Sequence, residues 1–324
     1  MLTRDAIRID PAVVAARIEA GIRSEVLDVM RRRGAVVALS GGIDSSVVAA
    51  LCARALRPER VVGLMLPERD SSSDALRLAT MLGDHLGIAR IVEDITPALS
   101  AVGCYARQDE AIRMVFPDFE PGWRFKLVLP SLLDGDRLNI VRLTVEDGIG
   151  TQRTMRLTPE AYLQLVAATN FKQRTRKMLE YYHADRLRYA VAGTPNRLEY
   201  DQGFFVKQGD GAADFKPIAH LLKSQVFALA EFLGIPDEIR ARVPTTDTYS
   251  MSQTQEEFFF GLPYEQIDLC MWALDHGVPS ASAASVAGIT ADEVERVYHD
   301  IKAKRRASRY LHHVPIVVIP SGDA

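Results

Sequence analysis

The 324 residues include 48% hydrophobic and 25% charged side chains, as in an ordinary soluble globular protein. A net charge of -3 gives no electrostatic case for binding nucleic acid. The 3 cysteines have no CxxC spacing, which argues against a disulfide framework or a zinc site, and the terminal apolar run at 314–320 is too short to span a membrane. We expect a cytoplasmic protein without a nucleic-acid or membrane partner.

The most informative stretch is residues 35–46, AVVALSGGIDSS. Its apolar start predicts a buried parallel strand, and the polar residues after the glycines predict the start of a helix. A strand, a glycine turn and a helix start form a geometry that binds phosphate, because glycine lets an anion approach the backbone and the helix offers free N–H donors. Asp44 suits such a place only if a divalent cation lies between its carboxylate and the phosphates.

Strands and helices alternate in the first part of the chain. In chain order we predict a helix at 11–32, a strand at 61–66, a helix from the serines at 71–73 to about Leu86, and strands at 89–95 and 189–192. This alternation predicts an α/β protein with a doubly wound parallel sheet and ligands at the carboxyl ends of its strands.

The pattern changes between residues 104 and 158. Alternating runs at 123–129, 137–145 and 151–157, separated by Asp-Gly turns, predict a small antiparallel β insertion. Further helices are predicted from Pro159 onward and at 221–233, 255–274 and 291–306, and a polar loop over a site is predicted at 244–254. We assign residues 1–275 to one domain that contains the insertion, and 276–324 to a C-terminal helical extension and tail.

Residues 281–306 also allow a second interpretation, a helix-turn-helix with a basic recognition helix. We favour a terminal helical hairpin with a solvated basic end, because the rest of the chain offers no basic surface.

Residues 40–46, SGGIDSS, resemble the SGGxDS signature of the PP-loop ATP pyrophosphatases, which cleave ATP between its α and β phosphates. The ordinary P-loop pattern GxxxxGK[ST] does not occur in the chain. Further segments resemble the NAD synthetase family in the same order: NFKQRTR at 170–176, GTPNRLEY at 193–200, GFFVKQGDG at 203–211, the Pro-Thr pair at 244–245 and GLPYEQID at 261–268. The resemblance is to the ammonia-dependent type, without a glutaminase domain.

The resemblance implies an ATP-dependent amide ligase that adenylates nicotinic acid adenine dinucleotide and amidates it with ammonia, releasing AMP and pyrophosphate. Asp44 and Glu199 would hold Mg²⁺, Lys223 would neutralise phosphate charge and Thr245 would donate a hydrogen bond, so these four are the candidate catalytic residues. The implied ATP site consists of Ser40, Gly41, Gly42, Ile43, Asp44, Ser45, Ser46, Thr194, Lys223 and Thr245. The implied acid site consists of Asn170, Arg174, Lys207 and Asp214.

Two features depart from the family. Tyr310 and Leu311 stand where it usually has a basic pair, and the insertion before the helix of Asn170 is unusually long. Three alternatives therefore stay open: a relative that amidates a different carboxylic acid, a PP-loop enzyme that modifies tRNA, and a non-catalytic nucleotide-binding regulator. A tRNA-modifying enzyme would need reactive cysteines or a basic docking surface, and the sequence offers neither. A non-catalytic regulator is disfavoured because both presumed metal carboxylates are present. The resemblance also implies a homodimer formed through residues 170–180, and it leaves open a separate glutaminase as a partner.

Overall fold

The computed structural model describes residues 3–129, 141–245, 248–251, 253–255 and 259–318. Its centre is a parallel sheet of four strands, β1 (Ala35–Ala38), β2 (Val61–Met65), β3 (Ala89–Val92) and β7 (Ala190–Ala192). Their order in the sheet is β3-β2-β1-β7. The predicted α/β class and parallel sheet are confirmed. The third strand is shorter than predicted and ends at Val92, although Glu93 and Ile95 still donate their N–H groups to the carbonyls of Met65 and Pro67, each at 3.0 Å.

Helices cover both faces of this sheet. Successive residues of a strand point to opposite faces, so neighbouring residues of β1 belong to different cores. Val37 faces a core formed with α1 (Pro11–Arg23), α2 (Ile43–Leu56), α3 (Ser73–Leu86), α8 (Lys223–Phe232) and α9 (Asp237–Arg240). Val36 faces α4 (Thr96–Ala101), α5 (Cys104–Arg113) and the long α6 (Pro159–Leu187). The helix predicted over 11–32 is interrupted: α1 ends at Arg23, and a π-helical turn covers Ser24–Val29.

The insertion begins differently from the prediction. Residues 104–113 lie in the predicted β insertion but outside its three predicted strands, and they form α5. This helix packs along α6: the Cys104 thiol contacts the carbonyl of Ala168 at 3.2 Å, and the Gln108 amide donates to the Thr169 hydroxyl at 3.0 Å. The antiparallel sheet follows as β4 (Arg124–Val128), β5 (Arg142–Glu146) and β6 (Gln152–Arg156), in the order β4-β5-β6. The first part of the strand predicted at 137–145 and the turn at 134–135 lie outside the described residues.

The last part of the described chain is helical, with α7 (Arg197–Gln202), α10 (Tyr264–Asp275), α11 (Ser280–Ala287) and α12 (Ala291–His312). A capping box between Thr290 and Glu293 starts α12, which continues beyond the predicted end at Arg306. α11 and α12 form the predicted helical hairpin and share a core with α10. In the described ranges, no helix is long and apolar enough to cross a membrane.

Candidate active site

The loop after β1, residues 40–46, is called the glycine loop here. Gly41 has a φ of +73°, and a Cβ there would lie 2.5 Å from the carbonyl oxygen of Ala75, so the loop needs glycine at this position. Two serines fix the turn: Ser45 and Ser46 both donate to the carbonyl of Gly42, at 3.0 and 2.8 Å. The hydroxyls of Ser45 and Ser46 therefore fix the turn that leads from the glycines into α2.

Polar side chains from four distant parts of the chain meet at the glycine loop. The ammonium of Lys223 pairs with one oxygen of Asp44, and the side-chain amide of Asn196 donates to the other at 3.0 Å. The backbone N–H of Asn196 donates to Glu199 at 3.1 Å, which closes the capping box of α7. Gln255 donates its side-chain amide to the second Glu199 oxygen at 3.1 Å. The predicted trio of Asp44, Glu199 and Lys223 is thus brought together.

The electrostatics of this cluster follow from its burial. Lys223 is fully buried, and it begins α8, whose first N–H groups donate to the buried Asp268 carboxylate, the one from Ser224 at 2.7 Å. Burial and the negative charge of Asp44 raise the pKa of Glu199 to about 8, while the positive charge of Lys223 acts in the opposite direction. Burial raises the pKa of Asp268 to about 6.

The candidate metal ligands beside the glycine loop are carboxylate oxygens, which suit a hard cation such as Mg²⁺. Asp44 and Glu199 supply two carboxylates, and the described residues hold no group of three or more His, Cys, Asp or Glu side chains around one point. An all-protein cage is therefore lacking among them. Two carboxylates completed by substrate phosphates are the arrangement that Mg²⁺ usually accepts, so the residues present fit this ion.

A cavity of about 550 Å³ opens at the carboxyl ends of the sheet strands. Predicted site residues that line it are Ser40, Gly42, Ile43, Asp44, Ser45, Asn170, Thr194, Glu199 and Thr245. Its opposite wall belongs partly to the inserted sheet and its flanks, through Leu127, Leu129, Val141 and Tyr162. The cavity therefore joins a polar end at the glycine loop to an apolar wall from the insertion.

Three residues predicted for the acid site have other partners in the structure. Arg174 donates to the carbonyl of Lys207 at 3.3 Å, and Lys207 donates to the carbonyl of Tyr310 at 2.9 Å. Asp214 accepts the N–H of Val191 in β7 at 2.8 Å. These three side chains lie outside the lining of the cavity, whereas Asn170 is part of it.

The cavity also contains charged residues that the sequence analysis did not select. Lys177 and Glu180 form a buried pair at 2.6 Å on α6, and the half-buried Asp210 accepts the N–H of Val206 at 2.8 Å. Burial raises the pKa of Glu180 and of Asp210. The sequence contained a pattern that could have identified Lys177 and Glu180 as site residues: they are three residues apart on the helix that carries Asn170, so they share a face. No comparable local pattern marks Gln255.

The parallel sheet, its glycine turn and the carboxylate–lysine cluster define a nucleotide-binding α/β protein with ligands at the strand ends. The family model for NAD synthase matches residues 14–127 and 138–309, and the chain belongs to this family.

Two relatives are similar over nearly their whole length. The NH(3)-dependent NAD(+) synthetase of Mesorhizobium japonicum is 59% identical over 97% of this chain and 99% of its own, and that of Rhizobium meliloti is 55% identical over 99% and 96%. The NMN synthetase of Francisella tularensis has a similar structure, with a TM-score of 0.64 and 23% identity over 97% of this chain and all of its own; at this identity it shows the fold alone. The predicted family is confirmed.

Proposed function

We propose that this protein is an ammonia-dependent NAD synthetase, an ATP-dependent carbon–nitrogen ligase that converts nicotinic acid adenine dinucleotide to NAD. The observation that carries the proposal is the joint placement of Asp44, Glu199 and Lys223 beside the glycine loop. The near full-length similarity to two NH(3)-dependent NAD(+) synthetases supports the substrate and the amine donor.

The chemistry needs two displacements. A carboxylate does not react with ammonia directly, so its oxygen first attacks the α-phosphorus of ATP, and the bond from this phosphorus to the bridging oxygen breaks to release pyrophosphate. Ammonia then attacks the acyl carbon, the carbon–oxygen bond to AMP breaks, and a proton leaves the nitrogen. No side chain has to act as a nucleophile, and catalysis is mainly positioning and charge stabilisation.

The residues beside the glycine loop would share this work. The N–H groups of the loop and of α2 would hold phosphate oxygens, Lys223 would balance negative charge as a point cation, and Thr245 would donate a hydrogen bond. Asp44 and Glu199 would hold Mg²⁺, which when bound would neutralise charge on the phosphates. Asn170, on the cavity wall, would contact the acid, and Arg174, Lys207 and Asp214 would have to change partners to do so.

The proposal is tested by assaying the purified protein with ATP, ammonium and either nicotinic acid adenine dinucleotide or nicotinic acid mononucleotide. We expect NAD, AMP and pyrophosphate from the dinucleotide, only in the presence of Mg²⁺, and a much lower rate with the mononucleotide. ADP as the main product would contradict the pyrophosphatase chemistry. A preference for the mononucleotide or another acid would replace the dinucleotide as substrate.

The proposal includes a homodimer formed through α6. Met178 and Tyr182 on this helix are 61% and 58% exposed, whereas Phe171, Leu179 and Tyr181 pack inward against the sheet. The exposed pair can therefore supply the larger part of an apolar surface, and the other three, which are partly buried, supply less. We expect a dimer in light scattering at micromolar concentration and a monomer for Met178→Glu.

Met155→Glu, at a residue of the inserted sheet that is 49% exposed, is the matched control and should stay dimeric. A monomeric wild type would contradict the dimer. A cytoplasmic location and a separate glutaminase as an ammonia source remain expectations.

A further inference from the structure

A segment next to the active site lies along the open edge of the inserted sheet. We call residues 248–251 together with Gln253 the docked segment. Met251 donates its N–H to the carbonyl of Phe125 at 3.1 Å, and the Ser250 hydroxyl accepts the N–H of Phe125 at 2.9 Å. Gln253 donates its side-chain amide to the carbonyl of Leu127 at 2.5 Å. These bonds satisfy backbone groups that an edge strand such as β4 would otherwise leave open.

The docked segment also contributes to the hydrophobic core of the insertion. Tyr249 is buried, and its ring centroid lies 5.5 Å from that of Phe125. The same core contains apolar residues of α5, of β4 and β5, and of the first turns of α6. The segment therefore packs into the insertion as a component of its core.

Lys172 holds the docked segment from the other side. Its side chain is 1% exposed, and its ammonium donates to Glu68 at 3.0 Å, to Asp70 at 2.7 Å and to the carbonyl of Thr248 at 3.0 Å. The three protons of an ammonium are thus all used. Tyr105 donates to the other Glu68 oxygen at 2.8 Å, which completes the cluster. A buried charge is costly unless it is fully paired, and full pairing fixes one geometry.

The chain on each side of the docked segment enters the candidate active site. Thr245, before it, lines the cavity, and Gln255, after it, donates to Glu199. Gln255 also donates its backbone N–H to the carbonyl of Pro244 at 3.1 Å, so the two flanks are tied together. The position of the docked segment therefore sets where both residues stand.

We propose that the inserted sheet and Lys172 position Thr245 and Gln255 for the reaction by holding the docked segment in place. Lys172, Ser250 and Gln253 are positioning residues in this proposal, and the insertion contributes to catalysis although the glycine loop lies elsewhere. The inference rests on the proposed function for its chemistry, and its first two measurements do not require NAD formation.

The test compares wild type, Ser250→Ala, Gln253→Met and their double variant. Thr154→Ala is the control: it removes a hydroxyl contact to Thr144 of 2.9 Å within the same sheet, at β6, away from the docked segment. Amide hydrogen exchange at Met251, ATP affinity by equilibrium dialysis, and kcat and KM for AMP release are measured. We expect exchange at Met251 to be about five- to tenfold faster for each lost bond, with ATP affinity or kcat falling by a similar factor, and no change in the control.

A double-mutant cycle separates positioning from general loosening. Gln255→Met should reduce kcat in wild type and have a much smaller effect in the Ser250→Ala/Gln253→Met background, because that background has already displaced Gln255. Additive effects, unchanged exchange, or faster exchange with unchanged ATP affinity and kcat would each overturn the proposal. If the double variant does not fold, the cycle is run on Ser250→Ala alone.

Failure of the proposed function gives a different result. In that case the wild type makes no NAD, while exchange at Met251 and ATP affinity still respond to the variants.

Discussion

The glycine-loop end of the cavity and its inserted wall are built in different ways. The loop comes from consecutive residues, 40–46, whose shape is set by one glycine with positive φ and two serine hydroxyls. The inserted wall is the apolar wall that β4 and the residues flanking the inserted sheet give to the cavity. β4 pairs with the docked segment, and the two meet only in the folded chain. A local geometry can be identified from a short motif, whereas a wall of this kind depends on pairing between distant segments.

The largest effect is expected from the carboxylates at the glycine-loop end. Asp44→Asn and Glu199→Gln keep the size of the side chains, but each removes a negative charge and replaces one of two accepting oxygens by a donating NH₂ group. Each should therefore lower kcat for AMP release by about a hundredfold or more. Thermal unfolding should show that both variants are folded.

Asp74→Asn is the matched control, because Asp74 is likewise in the first turn of a helix but its side chain is 67% exposed. Activity close to wild type in the two site variants would show that the site is assigned to the wrong residues.

A smaller effect is expected from the backbone of the loop. Gly41→Ala and Gly87→Ala both place a Cβ on left-handed backbone, at φ of +73° and +65°, but only Gly41 also faces a backbone oxygen at 2.5 Å. Gly87→Ala should lower the free energy of unfolding by about 1–2 kcal/mol and leave ATP binding unchanged.

Gly41→Ala should lower the free energy of unfolding by about 1–3 kcal/mol more than Gly87→Ala does, because its Cβ overpacks the loop against Ala75. It should also weaken ATP binding by about tenfold, because the loop has to move away from Ala75. Chemical denaturation and equilibrium dialysis measure the two quantities. Equal losses in the two variants would mean that the close approach to Ala75 is unimportant.

The parallel sheet could be predicted from the sequence, because its strands are short apolar runs and its turns contain glycine and serine. Ser72, for example, caps α3 as predicted, accepting the N–H of Asp74 at 3.2 Å. Asp44, Glu199 and Lys223 were found through their order in a family pattern, and each follows a strand or begins a helix at the ligand-binding edge. The fold places them together because parallel strands end at one edge.

The features that the sequence analysis missed have two origins. Residues 104–113 were included in the β insertion, although the residues that α5 buries recur at helical spacing: Cys104, Tyr105, Gln108, Ala111 and Ile112. The other missed features depend on contacts between distant segments. Lys172 appeared only as one position of a helix motif, because its three acceptors come from the loop after β2 and from the docked segment. Arg174 and Lys207 matched the family pattern, yet neither lines the cavity: Arg174 donates to the carbonyl of Lys207, and Lys207 donates to the carbonyl of Tyr310 near the end of α12.

The smallest effect is expected at Tyr310, where the chain departs from its family. The Lys207 ammonium donates to the Tyr310 carbonyl and stands 4.1 Å from the centre of its ring, which is exposed. Tyr310→Ala keeps the carbonyl and removes the ring, and an exposed cation–π contact contributes about 0.5–1 kcal/mol. If Lys207 contacts the acid from this position, KM for the dinucleotide should rise about two- to fivefold while KM for ATP stays constant, since the ATP end of the cavity does not involve this contact.

Tyr310→Phe, which keeps an aromatic ring, should behave like wild type. A lower KM in Tyr310→Ala would show instead that the ring draws Lys207 away from the acid, and the inserted wall would then be the main determinant of acid binding.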